Sequence, residues 1–251
     1  MAAQPWVEAD LAAPATADEA LFRPVRAGNA FEETVERLLQ AVRLGVVAPG
    51  ERLPAERELA ARLSVSRVTL REAIRALQQA GYVESRRGRY GGTFVNQTLP
   101  SGAGAAMRQP PADPVGDLGD ALTLRHVLET GAAATAAARP LGPGERRHLR
   151  SRLAETAAAG LAEYRRKDSR LHLAIAEVTA SASLTAAVAD ARMRVNELLD
   201  AIPLLEPNLV HSNEQHELIV ASILDGDPAA ARQAMAEHLD GTASLLRGFL
   251  S

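Results

Sequence analysis

Four side chains in the second half of the chain are of types that could hold a metal ion. Asp168 and His172 stand four residues apart, so on a helix both project from one face. His216 and His238 follow on two later helical stretches, either of which could return across a bundle to meet them. One carboxylate and three imidazoles form a donor set for a divalent ion of the Zn, Ni or Mn kind, and an open coordination position would admit an organic acid. The spacing alone leaves the alternative open, because an Asp-x-x-x-His pair is common and single histidines usually serve as surface or core residues.

A second group of residues suits an anionic polymer. Residues 51–89 carry nine Arg against five Glu, whereas residues 113–251 carry 14 basic and 19 acidic side chains in a protein of net charge −3. A basic segment inside an acidic chain implies a local anionic partner. The short connection Ser64-Val65-Ser66 between two helical segments has the form of a helix-turn-helix. Ser66 stands at the N-cap position of the second helix, whose leading edge presents Arg67, Val68, Thr69 and Arg71. Arg67 and Arg71 could fork onto guanine, and Thr69 could meet a thymine methyl or a phosphate. Arg57 begins the preceding helix, where phosphate contact is the usual role. Arg86, Arg87 and Arg89 flank Gly88 at a hairpin tip, where glycine lets the backbone approach a groove. A solvated Arg face is the plainer alternative. The coincidence of short turn, Arg leading edge and basic Gly hairpin within forty residues favours DNA.

The elements needed to position these groups follow from the apolar pattern. Residues 1–28, rich in Ala, Pro and acid, predict a mobile N-terminal arm. Val35, Leu38, Leu39 and Val42 then mark one stripe of a helix ended by Gly45. Helices over about 55–63 and 66–80 follow, and Tyr82-Val83 and Thr93-Phe94-Val95 pair as a hairpin, giving a winged helix-turn-helix over 29–97. A Gly/Pro/Ser stretch over 98–116 is the expected linker. From 117 to 251 every segment reads helical: 117–138, 144–160, 161–180, 184–201, 207–225 and 228–249, with Asp227-Pro228 starting the last. The expected fold class is thus mainly α, a winged helix-turn-helix followed by an all-α helical bundle.

Composition narrows the function. With 47% apolar residues but only 3% aromatic, the core must be Ala, Leu and Val, a mixture that favours packed helices. The lack of Cys removes thiolate metal sites, disulfides and cysteine nucleophiles. No apolar run is long enough to cross a bilayer and the N-terminus is acidic, so a soluble, cytoplasmic protein with no membrane partner is expected.

The run LPAERELAARLSVSRVTLREAIRALQQAGYVESRRGRYGGTFV (Leu53–Val95) resembles the DNA-binding domain of the gluconate-repressor (GntR) superfamily. The resemblance implies DNA contact by Arg57, Arg67, Thr69, Arg71, Arg87 and Gly88. Ala55 departs from it, since many members carry Ser there. LRHVLETGAAATAA, DSRLHLAIAEVTAS and HELIVASILDGDPAAARQAMAEHL, within residues 121–247, resemble the FCD effector domain of the FadR subfamily. That likeness implies metal ligation by Asp168, His172, His216 and His238. It also implies binding of a small carboxylate at Arg125, for which an ion pair with Glu129 at i, i+4 is the alternative. Ser183 stands where members usually have Asn before a helix. His126, His148 and His211 match no ligand position and are expected at the surface, His211 being the nearest substitute for His216. The function so implied is that of a homodimeric regulator, a repressor or an activator with repression favoured, and no enzyme. A metal-dependent hydrolase would lack a separate general base and leave the winged domain without a use, and a DNA-architectural protein would need no effector.

Overall fold

The computed structural model describes residues 16–24, 30–88, 91–100, 114–202 and 206–250. It begins with a short helix, α1 (Ala17–Leu21), where an arm without structure was expected. Thr16 and Glu19 form a reciprocal capping box that satisfies two of the amides at its start, those of Thr16 and Glu19. Ala17 and Leu21 are buried in the core of the C-terminal bundle and Phe22 in that of the N-terminal domain. Four apolar side chains in six residues are too few to show a period, which is why the sequence pattern did not reveal them; the rest of the expected arm lies outside the described residues.

The N-terminal domain is built from α2 (Ala30–Arg43), α3 (Glu56–Arg62), α4 (Arg67–Gln79) and an antiparallel pair, β1 (Val83–Arg86) with β2 (Gly92–Val95). Val35, Leu38 and Val42 of α2 pack on Leu59 of α3, on Leu70, Ile74 and Leu77 of α4, and on Val83 and Val95 of the hairpin. Ser66 caps α4, its Oγ accepting from Thr69 N at 3.0 Å. The turn before it is closed by Ser64 at φ +55°, a left-handed conformation that costs an L residue about 1 kcal/mol.

Six helices follow: α5 (Pro114–Ala137), α6 (Pro143–Ala157), α7 (Leu161–Glu177), α8 (Ala182–Leu199), α9 (Glu206–Asp225) and α10 (Pro228–Leu250). Each falls within a few residues of its expected span. Two starts carry a physical signature. Asp227 Oδ1 accepts from Ala229 N and Ala230 N ahead of α10, with Pro228 in the first helical position. For α8 the expected cap, Ser183, is corrected to Ser181, whose Oγ accepts from Leu184 N. Ala180, at φ +58°, turns the chain sharply enough to start α8 two residues early. The bundle core is Ala-rich (Ala132, Ala133, Ala136, Ala174, Ala189 and Ala231, with Leu171, Ile219 and Met235), so the helices approach closely. Part of the expected 98–116 linker lies outside the described residues, and α5 already begins at Pro114.

The two halves touch through α1 and α8. Asp190 of α8 accepts from Arg23 Nη2 (3.1 Å), Arg37 Nη1 (3.0 Å) and Gln40 Nε2 (2.9 Å). Arg43, at the end of α2, meets Asp200 Oδ2 at 3.2 Å. No helix among the described residues is long and apolar enough to cross a membrane.

Candidate functional site

Helices α7, α9 and α10 bring Asp168, His172, His216 and His238 together. One donor atom from each lies within 4.8 Å of all the others. This meets the limit of about 4–5 Å set by coordination at about 2.1 Å per ligand. Asp168 Oδ1 stands 3.2 Å from His216 Nε2 and 3.7 Å from His172 Nε2. The three imidazoles are buried and in mutual contact, with ring centroids 4.5 to 5.4 Å apart.

The donor chemistry fits a cation. His172 Nε2 and His238 Nε2 are buried with no hydrogen-bond partner among the described residues. Such atoms are costly in an interior unless something occupies them. Burial holds His172 down to about 4 and, with its His neighbours, holds His238 well below the usual 6.5, so both are neutral near pH 7, the form that ligates. Burial by itself would raise Asp168, but Arg192 first, then His172 and His216, outweigh it and keep the carboxyl well below the usual range. An ion held there would meet an anionic carboxylate and the neutral rings of His172 and His238.

A surrounding shell orients the four. His172 Nδ1 lies 2.5 Å from Glu129 Oε2, an imidazole–carboxylate contact whose angle falls outside ideal hydrogen-bond geometry. His238 Nδ1 meets Gln215 Oε1 at 3.2 Å. Arg192, fully buried on α8, donates to Asp168 Oδ2, and to Ser169 Oγ at 3.2 Å. Contacts of this kind fix which ring nitrogen and which carboxylate oxygen face the ion. Arg192 and Gln215 were not singled out from the sequence. A signal for Arg192 was present, since Val188, Arg192 and Val195 follow helical spacing on an otherwise apolar stripe; Gln215 carries none.

Arg125, on α5, is buried beside this cluster. Its Nε donates to Glu129 Oε1 at 3.2 Å, so the ion pair weighed from the sequence is present, but in the interior and not on a helix surface. Arg125 Nη1 has no hydrogen-bond partner among the described residues, and the side chain borders a cavity of about 500 Å³ that Asp168 and His238 also line. Of the remaining histidines, His211 is well exposed and His126 half-buried. His148, expected at the surface, is half-buried and meets Glu177 Oε2 at 2.8 Å.

At the other end of the protein Arg57, Ser66, Arg67, Arg71, Arg87 and Gly88 are exposed, and Thr69 half-buried. Thr69 shares a hydrogen bond with Ser66, Oγ1 to Oγ 2.9 Å. Arg71 Nε donates to Glu56 Oε2 at 2.8 Å, a partner that sequence spacing did not suggest because it lies on the neighbouring helix. Val68 is 66% exposed at the start of α4. Gly88 has φ +106°, a conformation that requires glycine. Arg86 does not share the hairpin tip: its guanidinium covers the Phe94 ring (4.4 Å) and pairs with Glu84. Arg89 lies outside the described residues.

A winged helix-turn-helix joined to an α-helical bundle is the architecture of a transcriptional regulator. Comparison with known proteins agrees. Residues 31–95 match the gntR family of bacterial regulatory proteins, and residues 120–241 match the FCD domain. The Uxu operon transcriptional regulator of Escherichia coli K12 is 31% identical over 211 residues, 80% of this chain and 80% of that protein. A helix-turn-helix-type transcriptional regulator of Mycobacterium tuberculosis is 46% identical over 67 residues, 27% of this chain and 28% of that protein. The solved structure of E. coli McbR/YncC has a TM-score of 0.56 at 20% identity, covering 89% of this chain and 99% of that one, and so shares the fold. The chain belongs to the gntR family of transcriptional regulators and carries an FCD domain behind its DNA-binding domain.

Proposed function

We propose that the protein is a cytoplasmic homodimeric repressor that releases operator DNA when its bundle binds an organic acid at a divalent metal. The observation that carries this reading is the meeting of four candidate ligand side chains, two of which, Asp168 and His238, line the same cavity as Arg125 with its unpartnered Nη1. Charge supports it. The fixed charges around the site (Arg125 and Arg192 against Glu129 and Asp168) cancel, so a divalent ion brings two positive charges that nothing nearby neutralises. An incoming carboxylate offsets one of them and supplies acceptors for Arg125.

When bound, the ion supplies Lewis-acid coordination of the carboxylate. Asp168, His172, His216 and His238 hold it, while Glu129, Gln215 and Arg192 keep those ligands in register. On the DNA side, Arg67 and Arg71 read base edges. Ser66 and Thr69 serve the backbone at the helix start, Arg57 and Arg87 meet phosphates, and Gly88 lets the wing approach. One winged helix meets one half-site, so a dimer on a near-palindrome is the expected assembly. Helix α8 is suited to couple the ends, since Arg192 grips the metal site while Asp190 grips α2. Differential ligand affinity for two arrangements of α8 would shift their populations.

The test is a DNA-binding titration on an operator selected from random duplexes. The measurements are made with the purified protein, after chelation, and after adding back Zn, Ni or Mn with a panel of carboxylates. The reading requires one metal per chain and a metal-dependent loss of DNA affinity with at least one acid. A protein that binds no metal, or whose DNA affinity no acid changes in either direction, overturns it.

A further inference from the structure

We infer that the acid sensed at this site is a monocarboxylate with an extended hydrocarbon tail, not a short hydroxy acid or a sugar acid. The inference rests on the carboxylate reading above and adds the class of molecule. Its first support is the shape of the cavity. The lining follows α10 from His238 at the metal end through Gly241 and Leu245 to Gly248 and Phe249. Ten residues at 1.5 Å each give a path of about 15 Å from head to far end, and a three-carbon acid would occupy only the head.

The wall away from the metal is mostly apolar. Leu199, Ile202, Leu209, Leu245 and Phe249 supply hydrocarbon surface, with Asn208 and Ser244 as polar groups among them. Two polar groups nearer the head are already engaged. Tyr164 Oη donates to Asn213 Oδ1 at 3.0 Å, and Gln215 Oε1 is held by His238. A polyhydroxylated ligand would lay most of its hydroxyls against hydrocarbon there, at a cost in binding, whereas methylene groups gain by leaving water.

The glycines of α10 are an independent observation. Gly241 and Gly248 are seven residues apart, on one face of a long helix, and both line the cavity. Each weakens the helix relative to Ala. Neither is demanded by packing, since a Cβ at either position would meet nothing within 4 Å. What their missing side chains leave is room along the apolar path, and the buried Arg125 Nη1 without a partner stands at the head of that path.

Calorimetric titration of the full-length, zinc-loaded protein tests this with acetate, butyrate, hexanoate, octanoate and decanoate beside L-lactate and glucuronate. Affinity should rise about fourfold per added methylene, the gain from burying each one, until the cavity is filled. Gly248→Leu should cost octanoate at least tenfold and leave acetate within twofold. Should that variant fold poorly, Gly241→Leu fills the path nearer the head and should weaken butyrate as well as octanoate. Lactate or glucuronate binding as tightly as octanoate, or an affinity independent of chain length, overturns the inference but leaves a carboxylate sensor standing. Octanoate binding that Arg125→Ala leaves unchanged also overturns it, as adsorption to an apolar surface. If no acid in the series binds at all, the inference and the carboxylate reading fall together.

Discussion

Arg192 and Asp168 form a buried ion pair across α7 and α8, with the Arg192 side chain wholly removed from solvent. The pair leaves Asp168 Oδ1 facing His172 and His216 while Oδ2 is taken by the guanidinium. One carboxylate oxygen is thus engaged by the guanidinium while the other faces the imidazoles.

Replacing Arg192 should therefore injure metal binding without touching a ligand. Arg192→Met leaves a buried carboxylate uncompensated, a loss of about 3–5 kcal/mol for the apo protein, and metal affinity should fall about 10- to 100-fold. Competition with a chromophoric chelator reads the affinity, and thermal unfolding with and without metal reads the stability. Arg192→Met with wild-type metal affinity would show that Asp168 is positioned by something else.

DNA readout should divide along the surface of α4. Arg67→Ala should cost about 1–3 kcal/mol on the selected operator and relax its sequence preference, whereas Arg57→Ala should weaken specific and random DNA alike. Anisotropy titrations at one fixed salt concentration distinguish the two patterns. Unchanged operator affinity in Arg67→Ala would mean that another edge of the domain enters the groove.

Glu56 should act as a mild brake on the same surface. Its carboxylate holds Arg71 in an exposed pair, and such pairs contribute little to stability. Glu56→Ala should leave the melting temperature within about a degree, and strengthen DNA binding severalfold by freeing the guanidinium and removing a charge that repels phosphate. Weaker binding would show that Glu56 orients Arg71 for DNA.

Acid should act on the bundle through Glu177. Burial opposes its ionisation, but His148, Arg170 and the Ala17 amide together bring its carboxyl down to about 2 from the ordinary 4.5. A carboxyl depressed by folding stabilises above its unfolded value and loses that contribution as pH falls through its folded one. The stabilisation is therefore complete above about pH 4.5 and fades toward pH 2, on the order of 3 kcal/mol in all. Glu177→Gln should be less stable at pH 7 and flatter across that window in urea titrations. It should also loosen α1, whose first amide it holds. An acid limb identical to wild type would remove Glu177 from this role.

The turn before α8 should be improvable. Ala180 holds φ +58°, which glycine adopts without the Cβ clash, so Ala180→Gly should add about 0.5–1 kcal/mol. A higher melting temperature with unchanged metal content is the expected result, and a lower one would mean that the Ala methyl makes a contact worth more than the strain.

The sequence by itself determined most of the elements and named four candidate ligands. Helical period marked α2 and α4 because each buries one stripe, and the Ser66 and Asp227 caps are local chemistry, complete within a few residues. The four ligand side chains were legible through the family resemblance, since spacing along a chain says nothing of whether α9 and α10 return to α7. Only the tertiary structure decided that they converge, and that Arg125 and Glu129 are interior groups sharing Arg192 and His172 as neighbours. The same holds for α1, where local propensity was too weak to predict a five-residue helix; Leu21 and Phe22 find their partners in two different cores. A cap or an amphipathic stripe needs only nearby residues, whereas a buried charge network exists only once distant helices have excluded the water between them.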